Sequence, residues 1–492
     1  MILFELLIII LRGCELIISK LLIYKGTGDR KLNARILIAA PKSGSGKTTI
    51  TCALLKCLKN KGIEVAAFKC GPDYIDPMFH KKVLGIKSKN LDLFFTDEDA
   101  TRELFCFENT AELSVIEGVM GLYDGLGGVN IEASSYHLAR TLKTPIILVV
   151  DAYGCGRSVV AEIAGFLSMD AEHLIKGVIL NRVSAPIYES LKPVIEHEVH
   201  IPVLGHYPNN EDVKIESRYL GLTLPTEIEG INETIDMAAE ILEENVNIKS
   251  IVRIAEEAEE ITADNWLDRI ALRDESMADP VRIAVAYDRA FCFYYEDNLR
   301  LLEENGAKLV QFSPIKDKEL PENVSGIIIG GGYPELFAEK LSKNESMKKS
   351  IKAAIESGMP SLAECGGFMY LSKSITTEEG DTFDMVGCID GECSYTGHLS
   401  RFGYLRLEDK QGAFLKDEIN NMIRGHEFHY YDSTMCGEDC VARKPVGGRK
   451  WDSSFVSENH WWGFTHLYYP SNPDFAANFV NECRKWRNYE SR

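Results

Sequence analysis

Beginning at Ala34, short apolar runs alternate along the chain with segments whose apolar residues recur at helical spacing. The first run is 36–40; a Gly/Ser loop follows, and then Ile50, Ala53, Leu54, Cys57 and Leu58 share a helical face that Gly62 ends. Further runs at 65–68, 113–116, 146–150 and 177–180 each stop at a polar or charged residue. Unbroken apolar runs are strands buried on both faces, and helix-length spacers between them predict a parallel, doubly wound α/β sheet. Ligands of such sheets bind at the carboxyl ends of the strands, which here carry Lys69, Glu117, Asp151 and Asn181. A second alternation starts at Val281: a strand over 282–286, a helix near 297–304 closed by Gly306, and strands over 308–312 and 326–329. Between 246 and 279 the chain turns acidic and strand-poor, with AEEAEE at 255–260. The pattern predicts two doubly wound α/β domains, 34–245 and 280–492, joined by a linker or connecting helix over 246–279.

Composition narrows the function classes. The chain has 54 basic and 74 acidic side chains, a formal charge of −20, which opposes non-specific binding to nucleic acid. Local Lys and Arg still suffice for an anionic small molecule. Thirteen cysteines, an odd number scattered through a long chain, read as reduced thiols and a cytoplasmic setting. Residues 1–33 are an apolar extension of unassigned role. Glu5, Arg12, Glu15 and Lys20 interrupt its first 24 residues, and the longest uncharged run, 6–11, is too short to cross a bilayer. It has neither the basic start nor the small-residue cleavage site of a signal peptide.

The run APKSGSGKTT (40–49) lies between a strand and a helix. In a phosphate loop the backbone N–H groups wrap the anion and the helix N-terminus adds partial positive charge. Gly44 and Gly46 allow that wrap, Lys47 reaches the outer phosphates of ATP, and Thr48, followed by Thr49, offers a hydroxyl to Mg²⁺. Pro41 stands where the strict pattern has Gly. Lys42, five residues before Lys47, is placed as in partitioning-type switch ATPases, against a plain reading as a solvated lysine. Phosphoryl transfer also needs carboxylates for the metal. Glu117 and Asp124 share the loop EGVMGLYDG (117–125), and Asp73 and Asp76 lie in KCGPDYIDPMFH (69–80), where ordinary turn capping is the alternative.

The runs GPDYIDP (71–77), IEGVMGLYDG (116–125) and GVILNRV (177–183) resemble the cobyrinic acid a,c-diamide synthase family, whose ATP domain is similar to dethiobiotin synthetase. The resemblance covers 34–492. It implies that Asp73, Asp76, Glu117 and Asp124 handle the phosphorylated carboxylate and its metal, and that Asn181 and Arg182 lie near the nucleotide base. Tyr219 stands where the family often carries His.

In the second half GGGYPE (330–335) and AECGG (363–367) each follow a buried strand. A Cys at a Gly-flanked strand-to-helix turn exposes its sulfur, so Cys365 is a candidate nucleophile. Gly331, Gly332 and Gly366 are the candidate oxyanion-hole glycines. Spacing leaves the base open among His426, His429 and His466. The half is similar to triad-type (class I) glutamine amidotransferases, and that resemblance chooses His466. Where many relatives place a Glu two residues beyond the base, this chain has Tyr468, which implies a Cys–His dyad. His426 and His429 stay open between glutamine binding and structure. Cys388, Cys393, Cys436 and Cys440 lack the paired spacing of a zinc ribbon.

Together the halves suit one reaction: ATP activates a carboxylate as an acyl phosphate while Cys365 releases ammonia from glutamine. The resemblance implies cobyrinic acid as acceptor, with hydrogenobyrinic acid and a nickel-sirohydrochlorin as alternatives, and a non-catalytic switch ATPase as a reading of another class. Oligomeric state stays open, a homodimer included.

Overall fold

The computed structural model describes residues 34–107, 109–210, 213, 230–261, 280–416 and 421–490. The first half is built on seven parallel strands: β1 (Ala34–Ala39), β2 (Val65–Cys70), β3 (Ser88–Leu91), β4 (Leu113–Glu117), β5 (Ile146–Asp151), β6 (Ile175–Asn181) and β7 (Val203–Tyr207). They lie in the order β3-β2-β4-β1-β5-β6-β7. The apolar runs become fully buried strands because helices cover both faces, leaving two cores, one on each side of the sheet. The strands β3 and β7 carry Lys89, Asn90 and His206, so polarity hid them from a search for apolar runs.

Helix α1 (Lys47–Asn60) follows the phosphate loop and packs against α3 (Ile231–Asn245); α2 (Ile75–Lys82) follows β2. The segment expected to connect the halves begins with α4 (Ile248–Glu256), whose Ile248, Ile251, Ile254 and Ala255 are buried in the same core as Ile36 and Ile38. Its i, i+3, i+6 spacing gives it an apolar stripe, so it docks on the ATP half rather than bridging solvent.

The second half has a six-stranded sheet containing β8 (Val281–Ala286), β9 (Ala307–Phe312), β10 (Ile327–Ile329) and β11 (Ser361–Glu364), with β10 parallel to β8 and β11. Two further, mostly antiparallel sheets take their strands from 372–453 and 466–467, where no unbroken apolar run marks a parallel core. The long hairpin Arg401–Asp409/Met422–His429 is the larger one's centre, and it pairs with His466–Leu467. Among the described residues no helix is long and apolar enough to cross a membrane; the extension 1–33 lies outside them.

Candidate active sites

The phosphate loop is shaped by two left-handed glycines, Gly44 (φ 75°) and Gly46 (φ 90°). At Gly46 the requirement is double, because a Cβ there would stand 2.1 Å from Asn181 Nδ2. Asn181 uses that nitrogen to donate to Ser45 O (2.8 Å), and its Oδ1 accepts from Arg182 N (2.9 Å). Its amide therefore braces the loop from the end of β6. Arg182, itself at φ 59°, donates from Nε to Asp151 Oδ1 (2.9 Å) and ion-pairs with the same carboxylate through Nη2; Asp151 is the β5 partner of Asn181. Thr49 sits half-buried in the first turn of α1.

Strand register assembles the charged cluster. On β2 and β4, Lys69 and Glu117 are direct partners, so the two side chains meet at the strand ends. Glu117 Oε1 accepts from Thr48 Oγ1 (2.6 Å) and from Lys69 Nζ (3.0 Å). The same ammonium is ion-paired with Asp76 on α2. Glu117 is fully buried, and its second oxygen has no hydrogen-bond partner; His80 Nε2 stands 3.7 Å from it. Burial, then the Asp76 charge, pushes the Glu117 carboxyl up to about 7. Burial acts the same way on Asp76, but the Lys69 ammonium outweighs it and holds that group below its ordinary value. Asp73 is raised to about 6 by burial and by Asp76, and its Oδ1 caps Ile75 N at 2.7 Å. Lys47 donates to Met120 O (2.5 Å), and burial with the neighbouring Lys69 charge lowers its pKa to about 8. Asp124 Oδ2 accepts from Gly121 N (2.9 Å), folding the 117–125 loop over Pro41.

Two members of this cluster carried no assigned role in the sequence. Lys69 was legible only as a polar strand end. His80 lies four residues after Asp76, a spacing that puts both on one helical face. Its Nδ1 contacts Ser88 Oγ (3.1 Å), and burial lowers it to about 4, so it is neutral. A hydroxyl and a buried carboxylate oxygen without a donor are hard oxygen ligands of the kind Mg²⁺ takes.

In the second half, register again sets the site. Glu364 pairs with Gly463, and Cys365 N donates to Gly463 O (2.8 Å), which aligns the Cys turn with the strand leading to His466. Cys365 has φ 48° and caps the helix Gly366–Leu371, the strained turn expected of a nucleophile. The residue is buried rather than exposed as that turn led one to expect, because the two glycine loops and the strand to His466 close around it. Gly331 makes room for the base: a Cβ there would lie 2.2 Å from His466 Cε1. A Cβ on Gly366 would stand 3.2 Å from Gly332 N, so the two glycine loops touch. His466 Nδ1 has no hydrogen-bond partner, and Tyr468 donates instead to Asp297 Oδ2 (3.0 Å). Burial, then the Glu335 carboxylate, pushes the Cys365 thiol up, while burial with His426 and His429 holds His466 well below its ordinary range. Thiol and imidazole thus rest neutral.

His426 pairs with His466 on the neighbouring antiparallel strand and stacks on it at 5.0 Å. His429 Nδ1 contacts Tyr431 O (2.6 Å), and its ring stacks on Phe464. Glu364 accepts from Leu467 N (3.2 Å) and Tyr469 Oη (2.9 Å). The described cysteines, Cys388, Cys393, Cys436 and Cys440 among them, are free thiols. Tyr219 lies outside the described residues.

Family models for a CobQ/CobB/MinD/ParA nucleotide binding domain and a CobB/CobQ-like glutamine amidotransferase domain match residues 36–222 and 282–459. Proteins named cobyrinate a,c-diamide synthase match along nearly the whole chain. That of Caldanaerobacter subterraneus subsp. tengcongensis is 39% identical over 91% of this chain and 98% of its own. That of Listeria monocytogenes is 39% identical over 89% and 97%. That of Picrophilus torridus is 39% identical over 92% and 99%. Sharing that identity across both halves, the chain belongs to the cobyrinate a,c-diamide synthase family.

Proposed function

We propose that this protein amidates the a and c acetate carboxylates of cobyrinic acid, using ATP and glutamine. The observation that carries the reading is the Thr48–Glu117–Lys69–Asp76 cluster at a phosphate loop, joined in one chain to the Cys365 turn, whose Gly366 meets the glycine loop that makes room for His466. In the ATP half, an acceptor carboxylate oxygen attacks the γ-phosphorus and ADP leaves, giving an acyl phosphate. Lys47 and the loop N–H groups hold the phosphates, while Lys69 keeps Asp76 ionised and donates to Glu117 beside them. Thr48 and Glu117 are the residues for Mg²⁺, which supplies charge neutralisation on the phosphates when bound. Asp73 and Asp124 face the acceptor, and Asn181 and Arg182 the nucleotide.

In the glutaminase half, His466 takes the Cys365 thiol proton as sulfur attacks the glutamine amide carbon. Gly331, Gly332 and Gly366 offer N–H groups to the oxyanion. The imidazolium returns its proton to the departing nitrogen, ammonia leaves, and water hydrolyses the thioester to glutamate. Ammonia then displaces phosphate from the acyl phosphate to form the amide. The acceptor is a tetrapyrrole polyacid, the setting a reducing cytoplasm, and nucleic acid has no part. Both sites come from one chain, so the chemistry does not require a homodimer. The test is a panel of cobyrinic acid, hydrogenobyrinic acid and nickel-sirohydrochlorin with ATP, Mg²⁺ and glutamine. Diamide from cobyrinic acid supports the reading; ATP hydrolysis with no amide from any acceptor sinks it.

A further inference from the structure

Tyr74 belongs to the ATP half, between Asp73 and Asp76 at the start of α2, yet its ring is buried against the glutaminase half. It stacks on Phe293 at 5.1 Å with planes 2° apart and lies 4.4 Å from the Tyr295 ring. Its centroid is 5.2 Å from that of His466 and 5.7 Å from that of His426. Phe293 in turn donates its N–H to Gly331 O (3.0 Å), the glycine whose missing side chain leaves room for His466. One aromatic ring thus touches the base directly and its surrounding loop through Phe293.

A second tie runs beside it. Tyr295 Oη contacts both Pro72 O and His426 Nδ1 at 3.1 Å. A carbonyl only accepts, so the hydroxyl donates to Pro72 O and His426 Nδ1–H donates to the hydroxyl. That chain leads from the ring stacked on His466 to the residue before Asp73. Against Tyr74 lies a cavity of about 40 Å³, walled by Asn90 on one side and Cys292 and Tyr294 on the other.

We propose that Tyr74 is a positioning residue that couples the two sites: its ring holds the His466 imidazole and passes on to it whether the Asp73–Asp76 loop is loaded. The inference rests on the amidation proposed above. Tyr74 lies between Asp73 and Asp76 on the backbone that presents both carboxylates, so any adjustment of that loop on loading reaches its ring. Close-packed aromatic contacts transmit such a shift rather than absorb it. Plain interface packing would move stability alone, with no effect on how the two reactions keep step.

The experiment follows glutamate and amide separately in the full chain, with glutamine or with free ammonia, with and without ATP and cobyrinic acid. In the wild type, ATP and acceptor raise glutamate release by about fivefold or more, and glutamate and amide form in equal amounts. Tyr74→Ala loses the stimulation and releases glutamate in excess of amide, while ammonia-driven amidation stays close to wild type. Tyr74→Phe keeps the ring and restores the coupling. Phe293→Ala loosens the same stack from the glutaminase side and reads the same way should Tyr74→Ala not fold. Equal yields and intact stimulation in Tyr74→Ala or Phe293→Ala overturn the proposal. So does an ammonia-driven rate that falls as far as the glutamine-driven one, which would make Tyr74 an acceptor contact. A wild type that makes no amide from any tetrapyrrole instead overturns the proposed function.

Discussion

Both halves place their chemistry at the carboxyl ends of parallel strands, where a strained turn enters a helix, but they treat charge in opposite ways. The ATP half gathers Lys47, Lys69, Asp76 and Glu117 into a buried network in which each charge has an opposite neighbour. The glutaminase half buries Cys365 and His466, both neutral at rest, and packs His466 among aromatic rings. One site is preorganised to receive charge that its substrates bring. The other must create charge during the reaction, and burial opposes that until glutamine enters. The difference matches the chemistry: phosphates arrive as anions, whereas a thiolate–imidazolium pair free of substrate would be open to side reactions.

The largest effect expected from breaking this contrast is at the nucleophile. Cys365→Ala should lower glutamine-dependent amidation by about 10⁴-fold or more, while amidation driven by ammonia survives. Assaying the variant with both nitrogen sources checks it; near-normal use of glutamine would remove Cys365 from the reaction. In the ATP half, Lys47→Ala or Glu117→Gln should slow acceptor phosphorylation by about 10²–10³-fold, with glutamate release persisting. Diamide at the wild-type rate from Lys47→Ala would refute the phosphate-loop assignment.

A further test sharpens the claim that the ATP half is a compensated network. Lys69→Met leaves two buried carboxylates without their counter-charge and should cost about 3–5 kcal/mol of stability, read as a lower urea midpoint. An unchanged midpoint would mean the cluster is solvated. The smallest effect concerns pH. Lys47, lowered to about 8, carries its ammonium below that pH and loses it above. Above about pH 8 the nucleotide affinity of the free protein should therefore fall by up to about tenfold per unit, measured by calorimetry. A flat profile to pH 10 would show that Lys47 does not face the phosphates in its lowered state.

Legibility followed the range of the interaction. The phosphate loop and the Cys365 turn are local: glycines at 44, 46, 366 and 367 mark backbone geometry that neighbouring residues impose. Those turns, the buried strands before them and the parallel α/β class could all be read from pattern. His466 was different, since spacing did not separate it from His426 and His429, and a family likeness had to choose. The polar strands β3 and β7 and the antiparallel sheets of 372–453 and 466–467 lacked the apolar runs that announce a parallel core.

What the sequence by itself determined is the set of chemical groups and the turns that present them, because those depend on residues within one strand–loop–helix unit. Only the tertiary structure decided which groups meet. Lys69 faces Glu117 through a register between strands 48 residues apart. The helix α4 joins the first core because its stripe finds β1. Tyr74 reaches His466 across nearly 400 positions because the two halves close on each other. Such meetings follow from burying apolar faces and pairing strands across the whole chain, and no local spacing encodes that.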